Sequence, residues 1–298
     1  MPSAYTYIES NKRKSLFLML LVIAVVIGVV ALYSYAVNGD YSLAIIAAIL
    51  AVPSALIGYY SGDKLALAVN RAQPLSQEEA PDLHNLVENL AITAGIPKPK
   101  VYLIDSPAMN AFATGRDPQH ASVAVTTGIM QVLDRSELEG VLAHELSHVK
   151  DYDILYGTIV AIFVGFLVML SDLFLRMTFW GFGGRRRGND REGGEAGAIL
   201  AVIGLILLIV SPIIAKLIQL AVSRQREYLA DAAGAMLTRY PEGLASALEK
   251  ISNSVPMKTA GKSTAHLFIA NPFNPKTLAG LFSTHPPIED RIKRLRQM

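Results

Sequence analysis

The chain has 298 residues, 52% of them hydrophobic and 17% charged, with a mean hydropathy of +0.36; a soluble domain carries about 25% charged residues, so the composition points to a membrane. A net charge of +2 offers no electrostatic footprint for nucleic acid. With no cysteine, disulfides, zinc–thiolate sites and thiol catalysis are all excluded, and any metal must be held by histidine and carboxylate.

The first apolar run covers residues 15–37 and follows Lys12, Arg13 and Lys14. Ser34-Tyr35-Ala36 resembles a signal-peptide cleavage site, but the run is longer than a usual apolar h-region, and a second run at 43–60 follows at once. An uncleaved anchor is therefore expected, with residues 1–62 forming a transmembrane hairpin. Basic residues precede the first run and the link "NGDYS" has none, which puts the N-terminus and residues 63–153 in the cytoplasm.

Within 63–153, Ser76 and Glu79 read as a capping box. Leu83, Leu86, Val87, Leu90 and Ala91 then keep helical spacing until Gly95 and Pro97. "KVYLID", "NAFATG" and "ASVAVTTGIM" predict three short strands. In "DRSELEGVLAHELSHVKDYD", Ser136 and Glu139 read as a second capping box, which starts a helix just before Leu138 and places the histidines in its later turns.

Further apolar runs at 154–171 and 198–222 predict a second transmembrane hairpin around a Gly- and Arg-rich flexible loop, 176–197. The loop's arginines oppose the positive-inside bias, so this topology rests on the first span and on the need to return both flanks to one side. Residues 223–298 then supply helices in "SRQREYLADAAGAMLTRY", "PEGLASALEKISNSV" and "THPPIEDRIKRLRQM". The expected architecture is an α+β membrane protein: about four transmembrane helices and a cytoplasmic domain, with a short sheet and an active-site helix, split between 63–153 and 223–298.

His144 and His148, at i and i+4, present two imidazoles on one helix face, and neutral imidazoles suit zinc. Glu145, one position round, can reach a water that the metal acidifies. The pattern H-E-x-x-H is short, and two solvated surface histidines would match it equally. A third ligand is required, and Glu227 in "SRQREYLAD" is the candidate, with Asp231 one turn on to accept from a ligating imidazole. Taken alone, Glu227 reads as a salt-bridge partner of Arg224; beside "HELSH" it reads as a ligand.

"NAFATG", "AHELSHVKD", "SRQREYLADAAGA" and "THPPIEDRI", in this order around four apolar runs, resemble the HtpX family of membrane zinc endopeptidases, relatives of the CAAX prenyl proteases among the gluzincins. The resemblance covers nearly the whole chain. It implies a zincin-like (minigluzincin) domain, one zinc ion held by His144, His148 and Glu227, and Glu145 as general base and then general acid. It also implies ATP-independent cleavage of damaged or misfolded membrane proteins under stress. The expected partners are protein substrates and the lipid bilayer, with no nucleic acid and no nucleotide; the oligomeric state stays open. The expected location is the cell (inner or plasma) membrane, multi-pass, with the site on the cytoplasmic side.

In zincins an edge strand pairs with extended substrate. "MNAFATG" is assigned that role, with Asn110 and Ala111 nearest the scissile bond, or else is an ordinary core strand. His285 in "THPP" could donate to the developing oxyanion, and Arg291 could help it or anchor the closing helix. His266 reads as a packed or hydrogen-bonded residue, and His84 and His120 are given no role. "AGKS" at 260–263 fails as a phosphate loop, because Pro256 stands where glycine is needed.

Three other functions compete with a surface peptidase. An intramembrane protease is opposed by the polar flanks "DRSELEG" and "VKDYD". An inactive scaffold or stress sensor is opposed by the retained Glu145. A transporter is opposed by spans whose ionisable residues, Asp172 and Lys216, lie near their ends. A CAAX-type processing protease shares the chemistry and differs in substrate.

Overall fold

The computed structural model describes residues 4–165, 224–257, 260–261, 263–273 and 286–298. The 176–197 loop, the 198–222 span, the end of the 154–171 span and His285 lie outside the described residues.

Two long helices come first, α1 (Ala4–Asn38) and α2 (Ser42–Val69), packed along each other. The apolar run at 15–37 lies within α1. Helix α2 continues past the 43–60 run because nothing in "SGDKLALAV" breaks it. It stops where the Asn70 side chain donates to the Ala66 carbonyl at 2.8 Å and Arg71 turns to φ 55°. The outer faces carry large apolar side chains: Phe17 is 68% exposed, and Ile49 and Ile57 are 66% exposed. A continuous apolar face of this kind needs a cover other than water. Among the described residues, one helix is long and apolar enough to cross a membrane, Ala44–Val69.

A small mixed sheet follows, built from β1 (Gln73–Pro74), β2 (Lys100–Ile104), β3 (Ala111–Gly115) and β4 (Ala121–Thr126) in the order β1-β2-β4-β3. Strand β4 runs parallel to β2 and antiparallel to β3, which leaves β3 on an edge. The first strand is too short to carry a sequence pattern. The third predicted run divides. Its first half is β4, and Thr126 then accepts from the Ile129 N–H at 3.2 Å and caps helix α4 (Thr127–Val132).

Helix α3 (Pro81–Ala94) buries the predicted face and ends at Gly95, whose φ of 73° suits a residue without Cβ. The Ser76–Glu79 hydrogen bonds form, but they close a turn ahead of the helix, and Pro81 occupies its first position. Helix α5 (Arg135–Lys150) starts earlier than expected. Its capping box is Asp134 with Glu137, not Ser136 with Glu139; the Ser136 hydroxyl donates to the Asp134 carboxylate instead.

Helix α5 is the centre of the domain. Val141, Leu142, Ala143, Leu146 and Val149 are fully buried, on every side of the helix. Around it pack α3, β3, α7 (Arg224–Thr238) and α8 (Pro241–Ser252), with α9 (Ile288–Leu295) closing over α7 and α8. The apolar residues between the polar flanks of "HELSH" draw the helix into the core of the domain. At its end Tyr152 takes φ 61°, and the chain turns into the apolar helix α6 (Asp153–Gly165).

Candidate metal centre

Helices α5 and α7 approach closely enough for their ligands to meet because α7 carries Gly234 at the crossing. A Cβ there would sit 3.0 Å from the His144 backbone nitrogen. Glu227, two turns earlier on α7, then faces His144 and His148.

One donor atom from each of His144, His148 and Glu227 lies within 4.8 Å of the others. The two Nε2 atoms are 3.2 Å apart, and the Glu227 carboxylate lies 3.8 Å from His144 Nε2 and 3.7 Å from His148 Nε2. Ligands at about 2.0–2.1 Å on a tetrahedral metal stand about 3.3–3.4 Å apart, so small adjustments bring this set onto one ion.

The outer nitrogens explain why the inner ones face each other. His144 Nδ1 lies 2.9 Å from an Asp231 carboxylate oxygen, and His148 Nδ1 lies 3.0 Å from Asp153. A carboxylate only accepts, so each Nδ1 carries a proton and each neutral ring turns a lone pair inward. Two lone pairs at 3.2 Å need a positive charge between them. This donor set therefore fits a divalent metal.

Burial by itself would lower the His148 pKa, but its hydrogen bond to Asp153 and the Glu227 carboxylate raise it to about 9. Burial lowers the His144 pKa to about 4, against the pull of Asp231.

Glu145 is 2% exposed, and burial pushes its carboxyl up to about 8. It accepts the Ala113 backbone N–H at 2.9 Å, which ties it to the outer edge of β3. A cavity of about 50 Å³ joins these groups, lined also by His266 and Arg226. His266 is bonded through Nε2 to the Gly157 carbonyl at 3.0 Å.

Asp231 lies against the outer nitrogen of His144, on the side of the imidazole away from His148 and Glu227. Arg291 is wholly buried and grips Asp231 with two bonds, 2.9 Å from Nε and 2.7 Å from a terminal nitrogen, and also donates to the Ile269 carbonyl at 3.0 Å. Burial would raise the Asp231 pKa, but the guanidinium holds it well below the usual carboxylate range. Arg291 thus anchors α9 behind the ligands. Asn110 and Ala111 lie at the far end of the β3 edge, where segment 269–270 already pairs with them. Ile269 N–H donates to the Ala111 carbonyl, and the Asn110 amide donates to the Ala270 carbonyl. The edge residue beside Glu145 is Ala113. His84 bonds the Leu75 carbonyl, and His120 bonds Asp117.

Two residues escaped the sequence reading. Asp153 holds His148, and Asn11 of α1 donates to Asp153 at 2.8 Å and to the Asp151 carbonyl at 3.0 Å. The position of Asp153, just beyond "HELSHVKDY", was the only available signal for it; Asn11 had none. Asp153→Ala should weaken metal binding by about 10–100-fold, as outer partners of metal-bound histidine do. Titration with a competing chelator measures it, and unchanged affinity would deny Asp153 this role.

The sequence profile of peptidase family M48 matches residues 77–298. The chain is 48% identical over 295 residues to the protease HtpX homolog of Caldanaerobacter subterraneus subsp. tengcongensis, covering 99% of this chain and 97% of that one. It is 53% identical over 243 residues to the protease HtpX homolog of Thermoanaerobacter pseudethanolicus, covering 81% and 80% respectively. Among solved structures, the crystal structure of S. mikatae Ste24p aligns with 96% of this chain at 20% identity and a TM-score of 0.48; this chain spans 65% of that one.

Proposed function

The chain belongs to peptidase family M48 and is a membrane metalloprotease, and we propose that it is a zinc-dependent endopeptidase acting on the cytoplasmic side of the cell membrane. His144, His148 and Glu227 would hold the zinc. The observation that carries this reading is the pair of inward imidazole nitrogens 3.2 Å apart, each fixed from behind by a carboxylate. When bound, the ion supplies Lewis-acid activation of water and of the scissile carbonyl.

Glu145 does the proton work. Its carboxylate accepts a proton from the attacking water and delivers it to the leaving amine nitrogen. An extended substrate would approach Glu145 alongside β3, whose Ala113 donates its N–H to the Glu145 carboxylate and whose Phe112 already bridges Phe268. His285 remains the proposed oxyanion donor, and Arg291 the support for the ligands.

The chain would cross the bilayer four times, at 15–37, 43–60, 154–171 and 198–222, and build a minigluzincin domain from 63–153 and 223–298. Glu227 lies beyond residues 166–223, so those residues must return to the side they left. With the site at the foot of α6, substrates emerging from the bilayer meet it first; misfolded or damaged membrane proteins are the class this placement favours.

The test uses detergent-purified full chain, stripped of metal and reloaded with zinc, on an unfolded protein and on a prenylated peptide. Zinc-restored cleavage of the unfolded protein is expected, and Glu227→Ala should abolish both zinc retention and cleavage. Stoichiometric zinc in that variant would remove Glu227 from the ligand set. Cleavage confined to the prenylated peptide would replace quality control with CAAX-type processing.

A further inference from the structure

Away from the metal centre, a cavity of about 510 Å³ opens where α1 and α2 meet the protease domain. Its rim is cationic and aromatic. Lys12 Nζ stands 4.2 Å from the centroid of the Tyr152 ring, and the Arg116 guanidinium stands 4.9 Å from that of Tyr60. Arg116 is paired with Asp117 at 3.3 Å, whereas Lys12 forms no ion pair among the described residues. Tyr152 reaches this rim through its left-handed backbone, φ 61°, a conformation that costs energy in a residue with a bulky side chain.

Much of the rest of the lining is apolar. Leu16, Met19, Leu56, Leu155 and Ile159 give an apolar lining that continues along the helices. At the boundary sits Ser15, 2% exposed and lining the cavity, whose hydroxyl finds no hydrogen-bond partner among the described residues. A buried hydroxyl left without a partner is costly, and this one lies three residues from Lys12, which stacks on Tyr152 and forms no ion pair among the described residues. Both occur where the apolar run of α1 begins, which is headgroup depth for a helix that enters a bilayer there.

We infer that this cavity binds an anionic phospholipid. The phosphate would take the Lys12 ammonium and the Ser15 hydroxyl, and one acyl chain would lie over Met19, Leu56 and Ile159. A basic pocket at the cytoplasmic ends of membrane helices has the charge for such a headgroup. A free phosphate would leave the apolar wall uncovered, and a zwitterionic lipid would forgo the net positive rim. The inference rests on α1 and α2 being in the membrane, and not on the peptidase chemistry.

Native mass spectrometry of the full chain in neutral detergent tests it, with phosphatidylglycerol, phosphatidylcholine and glycerol phosphate as probes. Phosphatidylglycerol should bind about fivefold or more tightly than phosphatidylcholine, the size of one lysine's attraction to an anionic lipid. Lys12→Gln should bring it towards the phosphatidylcholine level, Ser15→Leu should weaken both lipids alike, and Lys12→Arg should retain the preference. Zinc content of each variant establishes that the fold is intact and is independent of the lipid result. Equal binding of the two lipids by the unaltered chain would overturn the proposal. So would an undiminished preference in Lys12→Gln, or glycerol phosphate displacing the lipid as well as its diacyl parent does.

Discussion

Glu145→Gln is expected to retain zinc and the folded structure while losing about 10²–10⁴-fold in kcat, the range of a general acid–base group. The glutamine carbonyl can still accept the Ala113 N–H that Glu145 accepts at 2.9 Å, so the edge strand keeps its contact. The substitution also removes a buried carboxyl whose pKa is raised to about 8 by burial, so stability should not fall. What disappears is the capacity to hold a proton between water and amine. Turnover against an unfolded protein, paired with metal analysis of the same sample, reads both halves. Full activity in this variant would move the base elsewhere or expose a contaminating protease.

Arg291→Met carries the second large effect, and it acts on the scaffold. The guanidinium is fully buried and holds Asp231 through two bonds, and Asp231 in turn fixes His144. Removing one partner of a buried pair leaves an uncompensated charge, at a cost of about 3–5 kcal/mol. Metal affinity should fall with it, because the His144 ring loses its orientation. The pH dependence has a definite sign. In the unaltered chain Asp231 has a depressed pKa, so its stabilisation is full above the unfolded value of about 3.9 and is lost as pH falls through the folded one. In Arg291→Met the buried carboxylate is a burden that protonation relieves. The stability gap between the two proteins should therefore be widest near neutrality and narrow in acid, as denaturant unfolding at several pH values would reveal. A gap constant with pH would mean that Arg291 contributes packing alone. Arg291→Lys should recover part of the stability but not the two-pronged grip.

The metal centre was legible in the sequence because its strongest signals are local. The i, i+4 histidines need one helix, and the Glu227–Asp231 pair needs another; both are patterns within a few residues. The strands and the α3 face were readable for the same reason, as alternation and spacing. What the sequence withheld was long-range. Which carboxylate backs which imidazole depends on how α5, α6 and α7 meet, and Asp153 and Asp231 are distinguished only by that packing. The burial of α5 was hidden likewise, since Leu142 and Val141 are covered by helices from the other end of the chain. The capping box slipped by two residues because Asp134-x-x-Glu137 and Ser136-x-x-Glu139 compete for one helix start. The aspartate prevailed, and Lys250 holds Glu137 in place at 2.6 Å. Strand β3 does lie at the edge of the four-stranded sheet, but no local pattern could have revealed that segment 268–270 pairs along it from Asn110 to Phe112.

The centre is also ordered in time. His144, Glu145 and His148 leave the ribosome first, Glu227 and Asp231 only after residues 166–223, and Arg291 with the last described helix. A nascent chain interrupted between His148 and Glu227 carries the two imidazoles and Glu145 without the third proposed donor. With the proposed ligand set, such fragments would lack a complete metal site, and peptidase activity would arise only once Glu227 has been made and packed against His144 and His148.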